Sequence, residues 1–289
     1  MIKERSSVVI TGGASGIGKA LAFRFGEEGH DIIIGDVEEA ALEIAISELR
    51  SEAILATGIV VDVSDLDSVR SFRDQIFSEF SPPYILCLNA GVGAGGSISE
   101  SSVLDWEWVL GVNLWGVIYG LNTFLPFMED NNNGHIIITS SIAGHLSYPN
   151  MGVYNASKHA VLSIAETLCY ELQEKGIEVG VSVLCPGLVK TNILDSERNR
   201  PEILTSNVSL NEPDDQDTRK EAVREIYNLA LDPDSVADLV FKAVESKQFY
   251  IFTENTFQDA IKTRHRDIEL VRNPMLGANL VEEHLNDTD

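Results

Sequence analysis

Ser6-Ser7-Val8-Val9-Ile10-Thr11-Gly12-Gly13-Ala14-Ser15-Gly16-Ile17-Gly18 is the stretch from which the fold can be read. Residues 6–11 are apolar without alternation, which predicts a short strand buried on both faces. A helical pattern comes next, with Leu21 and Phe25 on one face, and ends near Gly29. Gly12, Gly16 and Gly18 thus sit at a strand-to-helix junction. Glycine there lets the backbone approach a pyrophosphate, which the free amides and dipole of the helix N-terminus stabilise. The spacing Gly-x-x-x-Gly-x-Gly is not the ordinary dinucleotide fingerprint Gly-x-Gly-x-x-Gly.

Outward from this junction the same rhythm repeats. Apolar strands are predicted at 32–36, up to Val60-Val61-Asp62, at 84–88 closing on Asn89-Ala90-Gly91, at 134–140 and at 177–185. Helices are predicted between them at 38–50, 65–80, 103–130 and 152–175. Strands alternating with helices indicate an α/β protein with a doubly wound, Rossmann-type parallel sheet. No linker, repeat or low-complexity break interrupts the pattern, so residues 1–289 read as a single domain. Its core is 6–191. Residues 192–247 form an extended loop-and-helix region covering a substrate, with helical patterns at 217–230 and 234–247. Residues 248–289 supply a last strand at Phe249-Tyr250-Ile251-Phe252, a helix at about 255–272 and a polar tail. A long polar segment such as 192–216, beyond the strand ends of an open sheet, is expected to be a lid.

A net charge of −24 argues against nucleic acid or anionic membrane as a partner, because both need basic patches. The three cysteines, Cys87, Cys169 and Cys185, each lie in an apolar run without metal-like spacing, so they read as reduced core thiols and no metal site is expected. The N-terminus is short and polar, and no apolar run reaches the ~18–20 residues of a membrane span. The cytoplasm is the expected location.

Asp36 closes the second strand, eighteen residues past Gly18, where this fold places an acid on the adenosine ribose. A carboxylate there accepts both ribose hydroxyls of NAD and repels a 2′-phosphate, which carries about −1.5 to −2 charges. No Lys or Arg occurs between residues 31 and 49 to relieve that repulsion, so NAD is expected over NADP.

Residues 139–158, Thr-Ser-Ser-Ile-Ala-Gly-His-Leu-Ser-Tyr-Pro-Asn-Met-Gly-Val-Tyr-Asn-Ala-Ser-Lys, carry the chemistry. Ser141 precedes Tyr154 by thirteen residues and Lys158 comes four after it. That last spacing puts phenol and ammonium on one helix face. A hydroxyl, a phenol and a cation brought together suit proton movement on an alcohol oxygen.

With Thr11-Gly12-x-x-x-Gly16-Ile17-Gly18, Asp62-Val63, Asn89-Ala90-Gly91, Asn113, Ser141, Tyr154-x-x-x-Lys158 and Pro186-Gly187 in this order, the chain resembles the short-chain dehydrogenase/reductase family, in its branch of about 250 residues. The match covers residues 6 to about 191. The resemblance implies that Gly12, Ser15, Gly16, Ile17 and Gly18 hold a pyrophosphate and Asp36 a ribose. It assigns Asp62 and Val63 to adenine, and Asn89, Ala90 and Gly91 to the cofactor ribose. Pro186-Gly187, with Val189 and Thr191, would meet the carboxamide end. Asn113, Ser141, Tyr154 and Lys158 match the catalytic tetrad, Asn113 anchoring a water that links Lys158 to solvent. Family analogy also implies a homodimer or homotetramer through the long helix, which carries Trp106, Trp108 and Trp115, and the 152–175 helix. Leu88 departs from the pattern, standing where many members have asparagine.

A free phenol has a pKa of ~10, and lowering it by about three units takes ~4 kcal/mol. An ammonium ~4 Å away at an effective dielectric of ~20 supplies about 4 kcal/mol and the oxidised nicotinamide adds further positive charge, so one lysine is expected to be about sufficient. The expected reaction is interconversion of a secondary alcohol and a ketone, Tyr154 serving as general base or acid and Ser141 binding the substrate oxygen. Ser141, His145, Tyr148, Met151, Leu188, Ile193 and Tyr227 are the candidate substrate contacts. Leu188, Ile193, Leu194, Ile203, Leu204 and Tyr227 give an apolar surface that implies a lipophilic substrate, and the segment 191–201 faintly resembles bacterial members acting on bulky aromatic alcohols. The rivals are an NADPH-dependent carbonyl reductase and an NAD-binding sensor without turnover.

Overall fold

The computed structural model describes residues 6–93, 96–205 and 230–274. The strands are β1 Ser7–Thr11, β2 Asp31–Asp36, β3 Ala56–Val60, β4 Ile85–Leu88, β5 His135–Thr139, β6 Gly180–Cys185 and β7 Tyr250–Phe252. Between β1 and β4 run α1 Gly16–Glu27, α2 Glu39–Ser51 and α3 Leu66–Glu79. Next come α4 Val103–Leu110, α5 Gly116–Asn131, α6 Gly152–Lys175, α7 Pro233–Ser246 and α8 Gln258–Glu269. The strands form one sheet in the order β3-β2-β1-β4-β5-β6-β7, with every pair parallel.

The unalternating strands are explained by cover on both faces. Val8, Ile10, Ile32, Ile34, Ile85 and Cys87 pack into one core with α1, α2 and α7. Their neighbours Val9, Ile33, Leu86, Leu88, Ile136 and Ile138 point the other way, into a core with α3, α5 and α6. Alternate side chains leave opposite faces of a strand, so two apolar layers demand an apolar residue at nearly every position.

The expected single helix over 103–130 is interrupted. A π-helical turn, Gly111–Trp115, separates α4 from α5, and Gly116 N–H reaches back five residues to the Gly111 carbonyl. Such a turn inserts one residue into the helix and rotates α5 relative to α4. Hydrophobic periodicity does not register it, because Val109, Leu110, Val112 and Leu114 keep the stretch apolar on every side. One 18-residue window within Val103–Asn131 reaches a mean hydropathy of 1.3, enough for a membrane span by length and composition alone. Val117, Leu121, Phe124 and Met128 of this stretch are buried against the sheet. The strand expected at 177–185 begins only at Gly180, since Gly176 ends α6 in the left-handed conformation. The helix expected at 217–230 lies outside the described residues.

Candidate active site

In a doubly wound sheet, ligands bind beyond the C-terminal strand ends where the strand order reverses. Here that point lies between β1 and β4, and the residues singled out from the sequence emerge around it. Gly12 leaves β1 at φ +64°, and a Cβ there would come 2.7 Å from Ala90 Cα, so glycine is what lets the two strand exits meet. Asn89 ties the exits together: its Nδ2 donates to the carbonyls of Thr11 (3.2 Å) and Gly12 (3.1 Å), and its Oδ1 accepts from Thr139 Oγ1 at 3.1 Å. The backbone N–H of Asn89 donates to Thr11 Oγ1. Thr11 and Thr139 are thus site-building residues, a role that motif spacing does not reveal. Replacing Asn89 with Ala strands these partners and is expected to lower stability by about 2 kcal/mol, read from urea unfolding.

The donor set around this point fits a dinucleotide. The first turn of α1 carries no acidic side chain, and the Ser15 hydroxyl makes no cap bond to the helix, which leaves amide dipoles for an anion. Asp36 is held by Ala14 N–H on Oδ2 (2.9 Å) and Glu38 N–H on Oδ1 (3.1 Å), keeping further lone pairs for a diol. Asp62 Oδ1 accepts from the N–H and hydroxyl of Ser64, fixing the loop that carries the buried Val63. Gly91 faces a polar cradle: a Cβ there would lie 3.4 Å from Asn113 Oδ1 and 3.5 Å from Lys158 Nζ. On the far wall the Pro186 carbonyl accepts from Ile142 N–H, Gly187 N–H donates to Thr253 Oγ1, Val189 is buried and bridges Leu231, and Thr191 abuts Gly16.

Ser141, Tyr154 and Lys158 converge beside Gly91. Ser141 is buried, caps the turn Ile142–Gly144 by accepting from Ala143 N–H at 3.1 Å, donates to the Pro186 carbonyl at 3.4 Å, and lies near enough to the Tyr154 phenol to act on its ionisation. Lys158, one turn along α6, is buried with Nζ donating to the Thr139 carbonyl at 2.9 Å and lying 5.6 Å from the Tyr154 ring centre. Asn113 sits in the π-helical turn. Its side chain accepts from Val92 N–H (2.8 Å) and donates to the Val92 carbonyl (2.9 Å) and to Ser157 Oγ (3.1 Å). Ser157 Oγ in turn donates to the Tyr154 carbonyl. Asn113 therefore braces α6 against the β4 loop, a buried link that the expectation of a water anchor does not contain.

The electrostatics correct the expectation that Lys158 alone suffices. Burial raises the Tyr154 phenol above its usual pKa, and the nearby Ser141 hydroxyl only partly opposes this. Burial also lowers the Lys158 ammonium to about 8. Nζ stands 5.6 Å from the ring centre, and an ammonium ~5–6 Å from a unit charge at a dielectric of ~20 supplies about 3 kcal/mol. The same dry wall penalises the phenolate, and in the protein by itself that penalty wins.

The expected substrate contacts divide. Met151 is partly buried at the start of α6 and bridges Gly96, and Ile193 packs on Gly93. Leu188 is buried, with its carbonyl accepting from Leu231 N–H. His145 is turned inward, its Nε2 3.4 Å from Cys185 Sγ and its ring 5.3 Å from that of Phe252. Tyr148 is buried in a small cluster with Phe257. Both are packing residues: His145 lies against β6 and β7, and Tyr148 sits in the cluster that Ala260 and Ile261 of α8 pack on. Tyr227 lies outside the described residues. Trp108 is a core residue under the Arg200 guanidinium, 4.2 Å from its ring centre, while Trp115 is 47% exposed.

A family profile described as short chain dehydrogenase matches residues 6–202. The chain belongs to the short-chain dehydrogenase/reductase family and is an oxidoreductase. It is 36% identical over 245 residues to a C alpha-dehydrogenase of a Sphingobium species, spanning 84% of this chain and 78% of that protein. It is 30% identical over 267 residues to a CLA biosynthesis dehydrogenase/reductase of Lactiplantibacillus plantarum, spanning 90% and 91%. A short chain dehydrogenase/reductase from Burkholderia phymatum, solved in complex with NAD, shares 40% identity and superposes with a TM-score of 0.90 over 96% of this chain and 100% of that one.

Proposed function

We propose that the protein is an NAD-dependent oxidoreductase interconverting a secondary alcohol and a ketone on a lipophilic or aromatic substrate. The observation that carries this reading is the convergence of the buried Ser141 and of Lys158 on the Tyr154 side chain, at the edge of the Gly91 cradle. NAD, when bound, supplies the hydride acceptor. Tyr154 takes the substrate hydroxyl proton during oxidation and returns it during reduction. Ser141 holds the substrate oxygen in the manner of an oxyanion donor. Lys158 favours the phenolate while its Nζ is steered by the Thr139 carbonyl. The test is a panel of secondary alcohols with NAD, monitored by absorbance of the reduced nicotinamide. No turnover with any member, in a protein that still binds NAD, would turn the reading into that of a sensor.

Asp36 supports NAD over NADP, because its carboxylate is aimed at the glycine loop by Ala14 N–H. Replacing Asp36 with Ala is expected to raise the NADP-to-NAD ratio of kcat/KM by about tenfold, one charge repulsion of ~1.4 kcal/mol. An unchanged ratio would place the discrimination elsewhere. We further infer a cytoplasmic homodimer or homotetramer. The exposed Trp115, 5.5 Å from Tyr119 between ring centres, and the exposed Tyr170 on α6 support a subunit face.

A further inference from the structure

Residues Asn192–Asn199 form a kinked 3-10 turn that crosses the cleft like a strap. Its middle is tied to the β4 side, where the buried Ser196 hydroxyl accepts from Gly93 N–H at 3.0 Å and donates to the Ile193 carbonyl at 2.6 Å. Its entry, Thr191, lies against Gly16 of the glycine loop. The other end is fastened on the β2 side, two residues past Asp36. Arg198 Nη2 donates to Glu38 Oε1 at 2.7 Å, its Nε to Oε2 at 3.3 Å, and Asn199 Nδ2 also donates to Oε1 at 2.8 Å. The guanidinium is preorganised by its own segment, since Nη1 donates to the carbonyls of Asn192 and Asp195. Arg198 thus reads the strap's fold with one nitrogen and Glu38 with the other two.

The two fastenings differ in kind. Ser196 is 3% exposed, whereas the Glu38 and Arg198 side chains are 30% and 35% exposed. The solvent-facing ion pair is the weaker joint, and a dinucleotide held by Asp36 and the Gly91 cradle would span the same strand ends that the two joints connect. Arg198 also lowers the Glu38 carboxyl pKa, so the pair is charged at neutral pH.

We infer that Glu38, acting through Arg198 and Asn199, is a positioning residue that fastens Asn192–Asn199 across the dinucleotide cleft and sets how fast the dinucleotide leaves. This rests on the proposed occupation of the cleft by NAD. Glu38 and Arg198 stand 160 residues apart, so no local motif pairs them.

The experiment is stopped-flow displacement of NADH from the wild type, Glu38→Ala, Arg198→Ala and the double variant. Each single variant is expected to release NADH about fivefold faster, the upper end for a solvent-exposed bidentate pair. The double variant is expected to be no faster than the faster single, because both singles break one joint. Raising ionic strength is expected to speed release in the wild type and to leave Glu38→Ala unmoved. Rates unchanged in the singles, or effects that multiply in the double, would overturn the assignment. Hydrogen exchange without any cofactor gives an independent arm. Amides of 192–199 are expected to exchange faster in both singles, and unchanged exchange would equally overturn it. Failure of the wild type to bind NADH would sink the cofactor reading instead, while the exchange arm would still decide whether Glu38 holds the strap.

Discussion

Tyr154→Phe is expected to lose turnover by about 10³- to 10⁴-fold while binding NAD nearly as well as the wild type. The substitution removes one oxygen and keeps the ring. That ring packs against the cluster of Ile142, Ala143, Leu146, Tyr148 and Phe257, packing that Phe reproduces, so the variant is expected to fold with an unchanged urea midpoint. What disappears is the phenol near Ser141 to which the proposed reaction gives the proton exchange with the substrate oxygen. The cofactor cradle is built from Asn89, Asp36 and the glycine loop, none of which depends on the phenol. Binding and chemistry are therefore expected to separate: steady-state rates collapse and NADH fluorescence titration does not. Full activity in this variant would refute the role given to Tyr154, and lost NADH binding would mean that the ring shapes the cradle. Because burial holds the phenol above its usual pKa, the wild-type oxidation rate is expected to climb with pH through the neutral and alkaline range.

Each feature of the fold and site is legible in the chain to the extent that a local pattern encodes it. The strands are legible because both sheet faces are covered, so Val8-Val9-Ile10 and Ile32-Ile33-Ile34 have to be apolar throughout. Tyr154 and Lys158 are legible because helix geometry turns a spacing of four into a shared face. Asn113 is legible as a residue but not as a brace, since its partners Val92 and Ser157 lie 21 and 44 residues away. The π-helical turn leaves no trace, because one inserted residue in a stretch apolar all round disturbs no pattern. His145 is misplaced for a similar reason: a short turn sets which way the ring points, and neighbouring residue types do not encode that. The tyrosine pKa is misjudged at a quantitative step. Charge separation can be guessed from spacing, but the desolvation of both groups depends on walls that only the folded chain assembles.

Lys158→Met is expected to leave the cofactor-free protein at least as stable as the wild type at pH 7 while lowering turnover by about 10²-fold, the equivalent of the ~3 kcal/mol field lost beside Tyr154. The stability half comes from linkage. Burial lowers the Lys158 pKa from 10.5 to about 8. Below pH 8 both folded and unfolded chains hold the proton, and the folded state carries the full penalty of a buried ammonium, roughly 3 kcal/mol for that displacement. Between pH 8 and 10.5 the unfolded chain keeps a proton that the folded chain has lost, so stability rises with pH across that window. Met fills a similar volume without charge and removes both the penalty and its pH dependence. Against this, the Thr139 carbonyl loses the Nζ donor at 2.9 Å, which costs about 1–3 kcal/mol. The two effects nearly cancel at pH 7, with a net gain of up to about 2 kcal/mol for the variant. Urea unfolding of both proteins without cofactor, at pH 7 and pH 10, isolates the group: the wild type is expected to gain on the variant by ~2–3 kcal/mol between those conditions. A variant several kcal/mol less stable at pH 7, with the same pH profile as the wild type, would show that Lys158 is a structural donor whose charge the fold tolerates without strain. The opposite result would show that the site keeps a cation that folding alone disfavours, a departure from stability that only a demand made at the Tyr154 hydroxyl explains.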